Sequence, residues 1–418
     1  MQKKTASIFN IAVIVAALGY FVDIYDLLLF NIVREPSLRD LGVSNTDMVT
    51  VSTRIINWQM IGLFLGGVIW GVMGDKRGRL SVLFGSILLY SIANFLTGFV
   101  ETTDQYAWAR FVAGIGLAGE LGAGITLVSE LLPKEKRGIG TSLVAGIGLF
   151  GAVFAYFTFQ YSDHDWRLCY KIGGALGVVL LLLRIGVAES GMFKQVKTQN
   201  VQRGNFLMFF TNAIRFRKYM MAILIGLPTW FVIGILVNLS NRFASALYGE
   251  NSIDSGRAIM YAYTAIAIGD ILIGFVSQYF KSRKKALYLF YSLAILSGIF
   301  FFSSFNSNDT TMYWVCAMLG FSTGFWAIFV TIGAEQFGTN LRATAATTIP
   351  NMVRGSLPLI NLLFKNFFMD TLKWDIVKSG IVTGIVVMAI TLVAAYFTEE
   401  TFHKDLNYVE GDKNPGVP

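Results

Sequence analysis

Three acidic residues, Asp23, Asp26 and Glu120, lie inside stretches of the chain that are otherwise apolar. A charged side chain at the centre of a bilayer costs at least ~2.5 kcal/mol, so such residues usually face a cavity or a partner. Asp23 and Asp26 share one helical face, where two carboxylates cannot both ionise cheaply. We therefore predict that at least one of the three carries a coupling proton. The alternative is a structural pairing of Asp26 with Arg34 or Arg110.

Arg354 is the basic counterpart of these acids, and it lies between Pro350 and Pro358 in another apolar stretch. Its guanidinium stays charged and matches the two oxygens of a carboxylate or a phosphate. The prolines remove backbone amides and are expected to kink a helix there, which frees carbonyl groups beside the cation. The sequence therefore predicts a polar cavity that binds an organic anion or a zwitterion. The alternative is a structural ion pair between Arg354 and Asp270.

Amide, indole and further charged side chains complete the candidate cavity, although such groups also fill contacts between helices. Arg184 and Lys171, near predicted helix ends, are expected to extend their charged groups to the membrane surface. The candidate residues of an outer vestibule are Arg34, Arg54 and Arg110. The candidate substrate contacts are Arg354, Asp270, Asn31, Asn57, Trp58, Gln59, Trp230, Asn238 and Trp326.

A second group of charges repeats along the chain. LVSELLPKEKRG contains Glu130 and Arg137, and TIGAEQFGTNLRA contains Glu335 and Arg342. In both segments an apolar residue is followed after two residues by Glu, and after six more by Arg. The repeat predicts two bundles of similar plan in one chain. That is the build of a secondary transporter, whose substrate site lies between the two bundles.

Long apolar helices must position these residues. Hydrophobic residues make up 54% of the chain and charged residues 14%, whereas a soluble protein is about one quarter charged. A membrane-spanning helix needs roughly 20 residues, and runs that are continuous rather than alternating exclude a β-barrel. The predicted fold class is an all-α integral membrane protein with twelve transmembrane helices as two pseudo-symmetric six-helix bundles. The predicted spans are residues 8–32, 48–72, 80–100, 106–131, 139–160, 166–187, 219–240, 258–280, 286–304, 312–333, 343–367 and 376–397.

The chain divides into a first bundle (1–187), a linker (188–218), a second bundle (219–398) and a tail (399–418). The linker segment FLMFFTNAIRFRKY mixes aromatic with basic residues, which predicts a short amphipathic helix on the anionic inner leaflet. A partner-binding segment is the alternative. The tail is polar and expected to be loosely ordered. Most of the 34 Lys and Arg lie on the side of the N-terminus, so both termini are expected in the cytoplasm, and the positive charge indicates membrane lipid rather than nucleic acid.

The segment GVMGDKRGRLS between predicted spans 2 and 3 resembles a motif of the major facilitator superfamily, G-x-x-x-D-[RK]-x-G-R-[RK]. Leu80 departs from its last basic position. With twelve spans and a central loop, the resemblance covers the whole chain and implies the twelve-helix fold of that family. It also implies that charges at the cytoplasmic ends of the helices latch a gate. The predicted gate residues are Gly71, Asp75, Lys76, Gly78, Arg79, Glu130, Arg137, Glu189, Glu335, Arg342 and Glu400.

Further motifs are similar to those of the metabolite:proton symporter and sugar-porter groups of this superfamily. They are E-x-x-P-x-x-x-R-G at Glu130 and the Glu-Ser pair after span 6. In the second half, Gln278 stands where the loop motif has Asp, and span 5 lacks the G-x-x-x-G-P string that is the hallmark of antiporters. The resemblance therefore favours uptake over export.

The function predicted from these features is a proton-coupled symporter that imports a small carboxylate-bearing metabolite by alternating access. It would work in the cell (inner) membrane, as a monomer. An exporter or exchanger on the same fold is the alternative, and a non-transporting membrane sensor is a further one. No nucleophile motif or phosphate-binding loop indicates an enzyme. Cys169 and Cys316 on separate spans are expected to pack as apolar residues, and no metal or cofactor is expected.

Overall fold

The structure, a computed structural model, describes residues 11–44, 47–185, 204–249, 252–303 and 307–410. All regular elements in these ranges are helices. Spans 1, 2, 3, 5 and 6 of the first half are single helices, and span 4 consists of two. In chain order, the helices of the first half are Ile11–Asp40, Met48–Arg77, Arg79–Thr97, Thr103–Leu117, Glu120–Leu131, Lys134–Tyr161 and Trp166–Leu183.

In the second half, spans 8, 9 and 12 are single helices and spans 7, 10 and 11 are interrupted. Span 7 comprises Ala213–Leu224, Leu227–Phe231, the π-helical Val232–Val237 and Ser240–Tyr248. Span 10 comprises Asp309–Ser322 and Trp326–Glu335, and span 11 comprises Arg342–Gly355, Leu357–Asn361 and the π-helical Leu362–Thr371. The single helices are Ser255–Phe280 (span 8), Arg283–Phe302 (span 9) and Ile376–Phe397 (span 12).

Eleven helical stretches of the described chain are long and apolar enough to cross a membrane. Span 11 is the twelfth; its two prolines predict a kink, and its first helix ends at Gly355. Pro358, near the start of the next short helix, lacks the amide that would continue the hydrogen-bond ladder. Pro350 lies inside the Arg342–Gly355 helix without ending it. One of the two prolines therefore interrupts span 11, and the predicted twelve-helix architecture is confirmed.

Spans 4 and 10 are interrupted at corresponding positions in the two halves. Span 4 turns at Ala118 and Gly119, and span 10 turns at Thr323 to Phe325. A turn at membrane depth frees backbone groups that must find partners within the protein. At both interruptions, polar side chains from other spans bind the freed groups.

Span 1 is longer than predicted, since its helix runs to Asp40 and contains Pro36. The extension is stabilised by packing, because Val33 and Leu38 are fully buried in the first bundle. Asp23 and Asp26 therefore lie near the middle of this helix.

The two halves contact each other along span 5 with spans 8 and 10, span 2 with span 11, and span 4 with spans 10 and 11. The hydroxyl of Thr331 donates to Thr141 across this boundary, with 3.0 Å between the oxygens. Gly71 allows span 2 to approach Thr344, since a Cβ atom at position 71 would lie 3.0 Å from its Cα. One face of each bundle is thus committed to the other bundle.

The predicted amphipathic helix is instead the first part of span 7. Residues 213–224 form one helix that continues into the span, and a 3₁₀ turn at Phe206–Phe209 precedes it. Phe209 is fully buried, stacks on Tyr219 with 4.5 Å between ring centroids, and contacts Phe337. Phe209 therefore binds into the second bundle, whereas Phe210 and Ile214 are exposed, so the placement of this segment on the leaflet stays a prediction.

The tail is also more ordered than expected over residues 399–410. Its backbone carbonyl at Tyr408 accepts a hydrogen bond from Thr339 N at 2.8 Å, and Tyr408 donates its hydroxyl to the carbonyl of Gln336 at 2.8 Å. Asn340 forms two hydrogen bonds with the backbone of Glu410, at 2.9 and 3.1 Å. The tail is polar because it pairs with the backbone and amides of the loop between spans 10 and 11. We refer to residues 399–410 as the strap.

Candidate substrate site and charged end

A narrow cavity lies between the two halves, with space of about 20 Å³, close to that of one water molecule. Both bundles contribute to it, as the repeat predicted for a site at their boundary. Of the predicted contacts, Arg354, Trp230 and Trp326 line this cavity. The full lining is Tyr20, Ile24, Leu27, Leu149, Thr229, Trp230, Tyr263, Ile266, Trp326 and Arg354.

Arg354 is almost fully buried in the wall of this cavity. Its Nη1 donates to the Asn351 amide oxygen at 3.1 Å, and its guanidinium carbon lies 5.7 Å from the Trp326 ring centroid. Asn351 in turn donates to the carbonyl of Ala118 at 3.0 Å, which the interruption of span 4 has freed. The first bundle thus fixes the amide that positions the cation of the second bundle. Arg354 Nε has no hydrogen-bond partner among the described residues.

Asp270 does not pair with Arg354, so that alternative is wrong. Its Oδ1 accepts a hydrogen bond from Ala327 N at 2.9 Å. Ala327 is in the first turn of the helix that resumes after the interruption of span 10, where a carboxylate is favoured by the free amides and the helix dipole. Asp270 therefore caps this helix from span 8 rather than lining the cavity.

Asp23 and Asp26 are both fully buried, and their carboxylate oxygens have no hydrogen-bond partner in the part of the chain that the structure covers. Arg110, predicted to line a vestibule, is instead buried, and it donates to Asn94 Oδ1 at 2.6 Å and to the Asp26 carbonyl at 3.0 Å. The proposed pairing of Asp26 with Arg110 therefore involves the backbone of Asp26 and not its carboxylate.

Glu120 forms a buried ion pair with Arg184, which was expected to reach the membrane surface. Arg184 is 1% exposed; both of its terminal nitrogens contact the Glu120 carboxylate, and Nη1 also donates to the Leu83 carbonyl at 2.6 Å. Arg184 stays inside the protein because the buried Glu120 needs a cation as its partner, and this need outweighs the hydration that Arg184 would gain at the membrane surface. A Cβ atom at Gly19 would overlap both partners, so only glycine fits there. Lys171 Nζ lies 4.4 Å from the centroid of the Phe99 ring.

The other predicted contacts lie away from the cavity. Gln59 is buried and donates to the Leu27 carbonyl at 3.4 Å, and Trp58 packs against Trp108. Asn57 is exposed, whereas Asn31, Asn238 and Arg34 are partly buried. Arg54 is at the outer end predicted for it, where it pairs with Asp104 at 2.9 Å and binds Thr103. Of the predicted substrate contacts, Arg354, Trp230 and Trp326 therefore line the cavity, and the others do not.

Five of the predicted gate residues gather in one buried cluster where the bundles meet; we call it the charged end (Asp75, Arg79, Glu130, Glu335 and Arg342). Glu130 Oε1 accepts from Arg79 Nη2 at 2.8 Å and from Arg342 Nη1 at 3.1 Å. These two arginines come from different halves, so Glu130 links them. Glu335 pairs instead with Arg283 of its own half at 3.3 Å.

Asp75 makes a second link between the halves at the charged end. Its carboxylate accepts from the backbone amides of Ala343 and Thr344 at 3.1 and 2.8 Å, and from the Thr344 hydroxyl at 2.7 Å. It thereby caps the Arg342–Gly355 helix of the opposite bundle, and it also pairs with Arg79 at 3.4 Å. Span 2 is thus attached to the N-terminus of a helix in span 11.

The remaining predicted gate residues are Gly71, which was described with the fold, and Arg137, Lys76, Gly78, Glu400 and Glu189. Arg137 is buried and donates to the Leu132 carbonyl at 3.3 Å, whereas the side chain of Lys76 is exposed and lies outside the cluster. Gly78 joins spans 2 and 3 at φ 110°, a conformation that favours glycine. Glu400 binds Ser282 and the amides of Arg283 and Lys284 at the start of span 9. Glu189 lies outside the described residues.

The strap covers the charged end. Arg342 Nη2 donates to the Leu406 carbonyl, and the Thr339 hydroxyl donates to the same carbonyl at 3.2 Å. Glu335 accepts from the Thr401 hydroxyl at 2.7 Å. Burial lowers the pKa of Lys404 in the strap, and Nζ of Lys404 lies 3.4 Å from the Gln336 carbonyl.

Residues that sequence reasoning missed are Arg184, Arg283, Thr344 and the aromatic residue Tyr20. Arg283 could have been found from the repeat, because it donates to Ser277 and Glu335 much as Arg79 donates to Gly74 and Glu130. Arg184 could have been paired with Glu120 by asking which buried charges need a counter-ion. The position of Tyr20 in the cavity follows from packing and has no signal in the sequence.

Comparisons with known proteins agree with this architecture. A family model described as Major Facilitator Superfamily matches residues 11–360. A putative metabolite transport protein of Haemophilus influenzae is 27% identical over 359 residues, which cover 82% of this chain and 85% of that protein. The cis,cis-muconate transport protein of Acinetobacter baylyi is 24% identical over 348 residues, covering 80% and 82%. A solved structure of a proton:xylose symporter matches with a TM-score of 0.76 at 15% identity, covering 96% of this chain and 98% of the other.

Proposed function

Since this chain belongs to the Major Facilitator Superfamily and is a multi-pass secondary transporter rather than an enzyme, we propose that it imports a small carboxylate-bearing metabolite together with a proton. The single observation that carries this proposal is Arg354, a buried cation in the wall of a cavity between the two bundles. A guanidinium in that position binds a carboxylate through charge-assisted hydrogen bonds. The transport of cis,cis-muconate by a relative supports an organic acid as the substrate.

Asp23 is our first candidate for the coupling proton. Asp23 is fully buried, both of its carboxylate oxygens lack a hydrogen-bond partner among the described residues, and the adjacent Ile24 lines the cavity together with Arg354. A substrate carboxylate that takes Arg354 as its partner leaves Asp23 as a buried anion without a cation, which is costly. Proton binding to Asp23 removes that cost, so substrate and proton bind together. Asp26 and Glu120 remain candidates for a relay, with Glu120 held by Arg184.

Alternating access follows from the charged end, which we propose to be the cytoplasmic gate. The links from Asp75 and Glu130 to the second bundle stabilise the state in which this end is closed. A conformational equilibrium shifts only through contacts that differ between its states, and these links must break when the bundles rock apart. Cotransport of one proton and one monocarboxylate is electroneutral, so a pH gradient drives uptake with about 1.4 kcal/mol per pH unit.

The experiment is uptake into proteoliposomes that contain the purified protein and a pH-sensitive dye. An acidic external medium is combined with cis,cis-muconate, nicotinate or gluconate, and with glucose and phosphate as probes that lack a carboxylate. We expect at least one carboxylate, and neither of the other probes, to acidify the lumen. Arg354→Gln should abolish this signal, and Asp23→Asn should abolish proton flux while binding persists. The matched control is Asp40→Asn, in the same span, where the carboxylate forms a surface pair with Arg167.

Two results would overturn the proposal. If glucose or phosphate, and no carboxylate, acidifies the lumen, the substrate is not a carboxylate. If uptake by the wild type does not depend on the pH gradient, transport is not coupled to a proton. Exchange of internal for external carboxylate without proton flux would favour the exchanger alternative. The remaining parts of the proposal are the cell (inner) membrane, both termini in the cytoplasm, and a monomer as the working unit, since both bundles of one chain line the cavity.

A further inference from the structure

Four of the ten residues that line the cavity around Arg354 are aromatic. Tyr20 comes from the first bundle, and Trp230, Tyr263 and Trp326 come from the second. Four aliphatic side chains fill the spaces between these rings. Small-molecule sites are commonly apolar with a few placed polar groups, and those groups define the ligand. The space of about 20 Å³ holds about one water molecule, so a substrate reaches these side chains only when the two bundles move apart.

The polar groups of this cavity are three nitrogen donors and the hydroxyl groups of Tyr20, Thr229 and Tyr263. Arg354 Nε and the indole nitrogens of Trp230 and Trp326 are buried, and none has a hydrogen-bond partner among the residues that the structure describes. All three groups donate and cannot accept at these nitrogens. Their complement is a group with several acceptor lone pairs, and an ionised carboxylate has about four. The three nitrogen donors therefore bind the charged end of the ligand, and the aromatic and aliphatic side chains contact the remainder of it.

On the basis of the proposed function, we infer that the substrate is a flat, aromatic or conjugated carboxylate, and that Trp230, Trp326 and Arg354 determine this specificity. Arg354 already lies over the Trp326 ring, and a guanidinium stacks on flat π-systems as well as binding carboxylates. A flat acid extends this stack and offers its ring to the aromatic walls. A polyhydroxylated acid meets four aliphatic side chains in the same wall, and each of its hydroxyl groups that Tyr20, Thr229 or Tyr263 does not pair weakens binding.

The test is binding to the full-length purified protein, measured as ligand-induced thermal stabilisation. Four probes are matched in pairs. Benzoate and cyclohexanecarboxylate share the carboxylate and six carbons in the ring, but the first is flat; benzamide has the flat ring without the charge; gluconate has the charge with hydroxyl groups. We expect the dissociation constant of benzoate to be at least tenfold lower than that of gluconate or benzamide, and severalfold lower than that of cyclohexanecarboxylate.

Variants separate the contribution of the rings from that of the charge. Trp326→Leu and Trp230→Leu should reduce the preference for benzoate over cyclohexanecarboxylate while leaving some carboxylate binding, because Arg354 is retained. Arg354→Gln should abolish binding of both acids. The control is Trp314→Leu in span 10, whose side chain is 63% exposed and contacts Tyr261 outside the cavity; it should keep the preference.

The outcomes distinguish this inference from the proposed function. If gluconate binds more tightly than benzoate and its binding requires Arg354, the flat-substrate inference is overturned while the carboxylate transporter stands. The inference is also overturned if benzoate binds equally well to Trp326→Leu and Trp230→Leu. Stabilisation by none of the carboxylates overturns both.

Discussion

Glu130 and Arg342 form an ion pair across the boundary between the two bundles, with 3.1 Å between Oε1 and Nη1, and both side chains are fully buried. The same carboxylate oxygen also accepts a hydrogen bond from Arg79 of the first bundle. One carboxylate is therefore shared by a cation from each half. Because the pair is excluded from water, removing one partner leaves a buried charge without compensation, and the closed charged end depends on both residues.

Replacing Glu130 by Gln should open the charged end. Loss of one partner of a buried pair costs roughly 3–5 kcal/mol, and this cost falls on the state in which the bundles are in contact. Spin labels at Lys76 and Lys281, whose side chains are exposed at this end of each half, should show a longer distance distribution in Glu130→Gln. The control is Glu399→Gln, which removes a surface pair with Lys218 and should leave the distances unchanged. Identical distributions in wild type and Glu130→Gln would contradict the prediction.

Gly19→Ala should destabilise the protein through the Glu120–Arg184 pair. A Cβ atom there overlaps both side chains, and overpacking of a filled site costs about 1–3 kcal/mol. The loss, measured by thermal unfolding in detergent, should be smaller in a Glu120→Ala/Arg184→Ala background, where the overlapping atoms are absent. Gly298→Ala is the matched control, since nothing lies within 4 Å of its added Cβ and a helix interior favours alanine by about 0.5–1 kcal/mol. Equal losses of thermal stability in both backgrounds would show that Gly19→Ala does not act through the Glu120–Arg184 ion pair.

The attachment of the strap to span 9 should depend on pH through Glu400. Although burial works in the opposite direction, hydrogen bonds from Ser282 and from the amides of Arg283 and Phe402 hold the pKa of Glu400 below its usual range. The ionised carboxylate therefore stabilises the folded protein above the unfolded-state pKa, and this contribution disappears as the pH falls through the folded-state pKa. Wild type should melt at a higher temperature than Glu400→Gln at pH 6, and the difference should shrink as the pH is lowered below about 4.5.

A constant difference between wild type and Glu400→Gln across that pH range would rule out the carboxylate as its cause. Glu399→Gln changes the neighbouring residue, whose carboxylate contacts Lys218 and Lys404 rather than the start of span 9. At pH 6 it should melt close to wild type.

Removing the strap after Phe402 should make the charged end open more often. The truncation deletes the contacts of Leu406, Tyr408 and Glu410 with the loop between spans 10 and 11. A cysteine at Ala343, which is 1% exposed, should then react faster with a water-soluble maleimide in a background without Cys169 and Cys316. Truncation after Glu410 keeps every strap contact described above and should leave the rate unchanged. Equal rates for the two truncations would show that the strap does not hold this end closed.

Much of the fold could be predicted from the sequence because it depends on local composition. Lengths of apolar helices, the boundary between halves and the positions of Glu130 and Arg342 follow from hydrophobicity and from the internal repeat. Which charge pairs with which could not be predicted, since Arg79 and Arg342 both reach Glu130 through a packing that the spacing does not encode. The candidate site was only partly predicted for the same reason: Arg354 and two indoles line the cavity, whereas the amides chosen for their polarity pack elsewhere.

The strap also affects the order in which the molecule can be completed during synthesis. Residues 399–410 leave the ribosome after both bundles, and they pair with a loop that was made about seventy residues earlier. Arg342 can form its ion pair with Glu130 as soon as the second bundle inserts, but the carbonyl of Leu406 reaches Arg342 only afterwards. A newly inserted chain therefore passes through a stage in which the two bundles are present and this cation is still incompletely bonded. These later contacts therefore complete the bonding of the arginine that joins the second bundle to Glu130 of the first.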